Sequence, residues 1–296
     1  MKIHLFKMFA LVLAPILPYA LFAQEESSEN GTAKREAVRS TFENGVSINN
    51  QTVETPHKNS MEMMIQHRFG AINNSDDLWG IYAPANIRLG LTYGILNNLA
   101  IGVGTTKGKH LYDFEWKYSP IKQTKGGGMP VTITYYGDVA RSAGDNSNFL
   151  NQEQVYKSSN KLSYFHEVMV ARKFNNHFSL QVGVTYVHYN IVDSIMQQHD
   201  FIGVSCVARY KFSPQSSVIF EFDNPMNVSS INKAMRPLPN IGIGYEVSTG
   251  NHQFQVFICN ANGIVNQETR VYNLNDYGQY MKGWIIGFNI TRAWGF

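Results

Sequence analysis

Few side chains in this sequence have the type and spacing to carry out chemistry. His177, Phe178 and Ser179 give a His-x-Ser spacing that would suit a base beside a hydroxyl nucleophile in a lipid-modifying enzyme. Such a pair also needs an orienting third group, and this one falls in a predicted turn. Catalytic residues are therefore not expected. The nine histidines do not cluster: His166 and His188 follow the spacing of apolar neighbours, and His199 lies with Asp200 between patterned segments. A metal centre needs three or four converging ligands, so neither a metal site nor a cofactor is expected. Met61, Met63 and Met64 fall on both faces of one strand and read as packing. Gly102 and Gly104 lack the third glycine and the strand-to-helix setting of a nucleotide loop and read as relief of crowding. Cys206 and Cys259 are too far apart in the pattern to bridge.

The elements that would position these groups alternate with a period of two, the mark of a strand with two unlike faces. Phe178, Leu180, Val182, Val184 and Tyr186 interleave with Ser179, Gln181, Gly183 and Thr185, and the same separation recurs at 87–93, 241–248 and 284–291. Twelve such runs are predicted, at 61–69, 85–95, 98–105, 110–118, 130–139, 161–172, 177–188, 201–212, 215–223, 238–248, 252–259 and 282–292. Their lengths suit strands that cross a bilayer at a tilt. Two connections, 106–109 and 119–129, fit poorly and leave ten or fourteen strands as alternatives. The remaining connections alternate between compact, turn-rich ones and long ones, as in outer-membrane barrels with short periplasmic turns and long external loops. The expected fold is all-β: a transmembrane antiparallel up-and-down β-barrel with both termini periplasmic. Tyr93, Tyr118, Phe174, Phe178, Phe212, Tyr245, Phe254 and Trp294 then collect at one end, as an interfacial girdle would.

Residues 1–23 read as a signal peptide, with Lys2 and Lys7 ahead of an apolar run broken by Pro15 and Pro18. A flexible polar leader is expected over 24–39, a pre-barrel segment at the periplasmic mouth over 40–60, and the barrel over 61–296. Of the pre-barrel segment, Val46 to Thr55 is expected to pack across the opening rather than enter the barrel mouth as a small plug. Without residues 1–23 the chain carries 23 basic against 22 acidic residues, which excludes a nucleic-acid binder. The predicted partners are membrane lipid, the barrel-assembly machinery, recruited through a last strand ending at Phe296, and an unidentified periplasmic or outer-membrane protein. The location follows as the bacterial outer membrane.

Sorting each strand by parity places charged residues opposite the apolar stripe. They are Glu62, Arg68, Arg88, Asp113, Glu115, Lys117, Asp138, Glu167, Arg209, Lys211, Glu221, Asp223 and Glu246. The functional reading is the lining of a narrow porin-like passive channel for small solutes; the alternative is an ion-paired interior that only holds the wall together. A non-conducting barrel whose loops, notably 140–160 and 260–281, bind a partner is the competing function.

The stretches TFENGVSINNQTVET (41–55), MIQHRFGAIN (64–73), APANIRLGLTYGILNNLAIGVG (83–104) and KYSPIKQT (117–124) resemble an uncharacterised family of β-barrel proteins from Bacteroidetes outer membranes, a domain of unknown function. The resemblance implies a barrel in that membrane and assigns no substrate and no catalytic residue.

Overall fold

The computed structural model describes residues 36–72, 78–126, 128–143, 157–192, 198–276 and 283–295. The expected signal segment, most of the leader, Phe296 and parts of both long loops lie outside them. Two short strands, β1 (Val46–Ser47) and β2 (Asn50–Gln51), form a hairpin. Twelve longer strands follow: β3 (Ser60–Ala71), β4 (Asn86–Leu96), β5 (Leu99–Thr106), β6 (Leu111–Ile121), β7 (Thr132–Ser142), β8 (Leu162–Lys173), β9 (Phe178–Tyr189), β10 (Asp200–Lys211), β11 (Ser216–Pro225), β12 (Asn240–Thr249), β13 (His252–Cys259) and β14 (Ile285–Gly295). Each pairs antiparallel with the next, and β14 pairs back onto β3, so the twelve form a closed barrel with no free edge. Every expected strand is present, and each boundary lies within three residues of its predicted position.

The alternation of side chains decides which face is which. Along β9, Ser179, Gln181 and Thr185 are buried inside, whereas Val182 and Val184 are 51% and 60% exposed on the outside. Leu89, Val103, Ile243 and Val256 repeat this outward exposure around the wall. An apolar surface that encircles a molecule is untenable in water and is what hydrocarbon requires. No helix among the described residues is long and apolar enough to cross a membrane.

At the end where the short turns lie, aromatic rings ring the outer surface. Phe174 meets Phe178 at 5.7 Å between centroids and Phe212 meets Tyr245 at 6.2 Å. Arg172 and Arg292 also point outward there and lie over Phe174 and Trp294, at 5.2 and 5.0 Å, so their charges sit against ring faces. The long connection after β6 has a structural reason. Its residues 123–125 pair with the incoming chain, through Val38 N–H to the Gln123 carbonyl at 2.7 Å and Lys125 N–H to the Glu36 carbonyl at 2.9 Å.

Candidate functional site

The lumen is filled from both ends. Residues 46–53 do not lie across the opening but run into the barrel, where Val46, Ile48, Asn50, Thr52 and Val53 are all buried. The hairpin turns at Ile48, a β-branched residue held at φ +55°, which is rare without strong support. The support is explicit. Ile48 N–H donates to Gln255 Oε1 at 3.2 Å, its carbonyl accepts from Arg68 Nη2 and Asn289 Nδ2 at 2.9 Å each, and its side chain packs with Ile219, Phe257, Cys259 and Ile285. The neighbouring asparagines converge on one carboxylate. Glu221 accepts from the Asn49 backbone and side chain at 2.8 and 2.5 Å and from the Asn50 backbone and side chain at 3.1 Å each.

The second insertion comes from the opposite end. The connection between β13 and β14 carries a short helix, α1 (Asn266–Val271), with five of its six residues buried. Val271 packs among Phe165, Val187 and Phe201 on the inner wall. Arg270 reaches Asp223 at 3.1 Å and donates to the Asn50 side chain, so the hairpin and the helix meet inside the barrel. Gln267 Nε2 donates to Asp138 Oδ1 at 2.7 Å, and Asn240 Nδ2 to the Thr269 carbonyl at 2.7 Å. Part of the loop expected to face outward, 260–276, thus turns inward.

The charged residues singled out from parity occupy this filled interior. Arg88 pairs with Asp113 and, at 3.4 Å, with Glu115. Arg209 pairs with Glu246 at 2.8 Å and with Glu43 of the entering chain. Lys117 Nζ donates to the carbonyls of Gly45 at 2.8 Å and Glu54 at 3.2 Å, binding wall to hairpin. Glu167 accepts from Ser205 at 2.5 Å. Glu62 and Lys211 are only half-buried, near the mouth where the chain enters. The interior is not uniformly polar: Phe165, Met169, Val187, Phe201 and Val207 face inward along β8 to β10, where they pack against Phe42, Val53 and Val271 of the inserted segments. Burial holds the Glu54 carboxyl above the ordinary carboxylate range, against the lowering effects of the Phe42 N–H bond at 3.1 Å and of Lys122.

The structure brings together three carboxylates that parity only placed on one face: Asp113, Glu115 and Asp138 offer oxygens within 4.8 Å of one another. Gly102 and Gly104 line the same recess, where a Cβ would stand 2.5 Å from Glu115 Oε1 and 2.6 Å from Asp113 Oδ2. A cavity of about 30 Å³ adjoins it, and a larger vestibule of about 930 Å³ opens at the mouth beside Glu43, Glu54, Lys58, Lys122 and Trp294. The His-x-Ser residues do not form a pair. His177 Nδ1 lies 2.8 Å from the Lys211 carbonyl, and Ser179 faces the lumen. Cys206 and Cys259 are free, on opposite faces of the wall.

Sequence reasoning missed the inserted role of Asn266, Gln267 and Arg270. A signal existed: Ile264, Val265 and Val271 are apolar residues in a segment read as an external loop, and all three are buried.

Fold and site together define a closed, twelve-stranded membrane β-barrel with an occupied lumen. Over residues 42–294 the chain belongs to the family described as membrane bound beta barrel domain (DUF5777). Among solved structures, the NanC porin is similar at a TM-score of 0.50 and 10% identity, covering 79% of this chain and 98% of that one. The COG4313 outer membrane channel from Pseudomonas putida F1 is similar at 0.48 and 9% identity over 82% and 98%, and the KdgM porin at 0.44 and 10% identity over 80% and 99%. No curated protein matches the chain.

Proposed function

We propose that this protein is an outer-membrane channel for small solutes whose lumen is held closed by a withdrawable N-terminal hairpin. One observation carries the reading: β1 and β2 form a sheet of their own, separate from the barrel wall. Side-chain hydrogen bonds and packing, not strand pairing, hold the hairpin tip, and water can replace those bonds on withdrawal while the wall stays closed on itself. The charged wall residues that the hairpin and its flanks cover, Arg68, Lys117 and Glu221, then line the passage, which α1 narrows from the other end. In this reading residues 1–23 direct export, both termini are periplasmic, the end bearing the aromatic girdle and short turns faces the periplasm, and the last strand with Phe296 recruits the assembly machinery. The chain performs no catalysis of its own.

Planar-bilayer recording of the refolded full chain, beside a variant lacking residues 41–55, tests the reading. The full chain should conduct rarely and the deletion steadily. Absence of conductance from a correctly folded deletion at every salt and voltage overturns it.

The filled interior favours a second reading, a non-conducting barrel that binds another protein through its long loops. Cross-linking followed by purification separates the two, since a binder retains a defined protein and a channel does not.

A further inference from the structure

The two ends of the hairpin segment are held differently. At the far end, Lys58 N–H donates to Asn97 Oδ1 at 3.0 Å and Asn59 N–H to the Gly94 carbonyl at 2.8 Å, immediately before β3 begins, so that arm is fixed to the wall. The near end is held from outside the barrel. Val38 N–H and Lys125 N–H donate to the Gln123 and Glu36 carbonyls, and between these two bonds Ala37 faces Thr124 as an antiparallel pair. Beside them Lys125 and Glu36 form an exposed ion pair at 3.1 Å. Ser40 stands where the chain passes from exposed residues to the buried Thr41 and Phe42, at φ +53°, a left-handed conformation that a residue with a side chain adopts at a cost. Lys173, at the end of β8, holds it there: its Nζ donates to the Arg39 and Ser40 carbonyls at 3.0 Å each. Gln123 ties the two grips together, its Nε2 donating to the Lys173 carbonyl at 2.9 Å and its Oε1 accepting from the Lys173 N–H at 2.8 Å. With the near end fixed, withdrawal frees only a loop from Thr41 to Thr55 pinned at both ends on one rim. With it open, the near arm is released as well and the gain in chain entropy is larger.

We infer, from the withdrawable hairpin put forward above and independently of conduction, that residues 36–40 are the catch of the gate. Val38 peels from Gln123, and Lys173 parts from the Arg39 and Ser40 carbonyls, before the hairpin leaves the lumen. The connection after β6 is long because it carries the seat of this catch. Opening is thus governed at the mouth, beyond the ends of the strands, and not only by the contacts inside the lumen.

Maleimide labelling of Ser47→Cys, a position buried in the hairpin, in a chain lacking Cys206 and Cys259, reads withdrawal as the mass of the peptide that carries position 47. Val38→Pro deletes one donor and keeps the backbone extended, and Lys173→Met keeps the stem and loses both bonds. Each should raise the labelling rate several-fold, with the barrel intact as judged by its heat-modifiable mobility on gels. Ala37→Cys with Thr124→Cys does the reverse. The two positions form a non-hydrogen-bonded antiparallel pair, about 4.5 Å between Cα atoms and within reach of a disulfide. Oxidised, the pair should slow labelling at least about tenfold relative to Ala37→Cys alone. If the cross-link, or both bond-deleting variants, leave the rate unchanged, the inference is overturned and withdrawal itself stands. If position 47 is labelled in none of these chains, the hairpin does not withdraw, and both fall.

Discussion

Glu221 and Arg68 show how single side chains decide whether the lumen is filled. The Glu221 carboxylate receives four hydrogen bonds from Asn49 and Asn50, and Arg68, with no exposed surface, binds the Ile48 carbonyl and the Asn49 side chain at 2.9 Å each. Charged partners of this kind contribute about 1.5–3 kcal/mol per bond net, and a donor left buried without an acceptor is costly. Glu221→Leu should therefore free the hairpin tip. Expressed as maleimide labelling at Ser47→Cys, in a background lacking Cys206 and Cys259, the rate should rise about tenfold or more. An unchanged labelling rate would mean that Glu221 does not retain the hairpin.

At the scale of elements, the hairpin is a two-stranded unit that would be marginal in water by itself, so its order is borrowed from the wall. Glu54, in the segment leaving the hairpin, makes that retention sensitive to pH. Its carboxyl is raised by burial when inserted and returns to its ordinary value when the hairpin is withdrawn and solvated. The inserted state thus binds more protons, and insertion loses stability as pH rises from near the ordinary carboxylate value through the raised one. Labelling of Ser47→Cys should accelerate over that window, and Glu54→Gln should flatten the response. An opposite slope would sink the assignment. The segment after the hairpin also needs Gly94, where a Cβ would stand 2.0 Å from the His57 carbonyl and Asn59 N–H donates to the Gly94 carbonyl at 2.8 Å. Because that contact is backbone to backbone, Gly94→Ala should displace residues 57–59 and lower the thermal midpoint, whereas Gly295→Ala, which meets open space, should not.

For the whole molecule, closure of the sheet and an apolar exterior are two aspects of one constraint, since hydrocarbon satisfies no backbone polar group. Val184, 60% exposed near the middle of β9, presents the outer face directly. Val184→Arg should destabilise the barrel by about 2–4 kcal/mol in urea titrations with lipid vesicles, the penalty for a cation near the bilayer midplane. Thr185→Arg tests the other face: Thr185 is buried inside, so that change meets lumen contacts instead. Equal tolerance of Val184→Arg in lipid and in its absence would contradict a membrane-facing exterior.

The strand count, the boundaries and the inward or outward sense of most residues were legible in the sequence, because a period-two pattern is local and each strand declares its own faces. Residues such as Leu89, Val182 and Ile243 announced the outer surface, and Arg88 and Glu221 the inner one. What lies within the barrel was decided only by tertiary structure. Val46 to Val53 and Asn266 to Val271 are too short and too polar to signal burial by periodicity, and many of their partners lie far off in the chain, 128 residues away for Val53 with Gln181 and 241 for Ile48 with Asn289. Periodicity assigns a face to each residue of a strand; which segments occupy the enclosed space depends on closure of the whole ring.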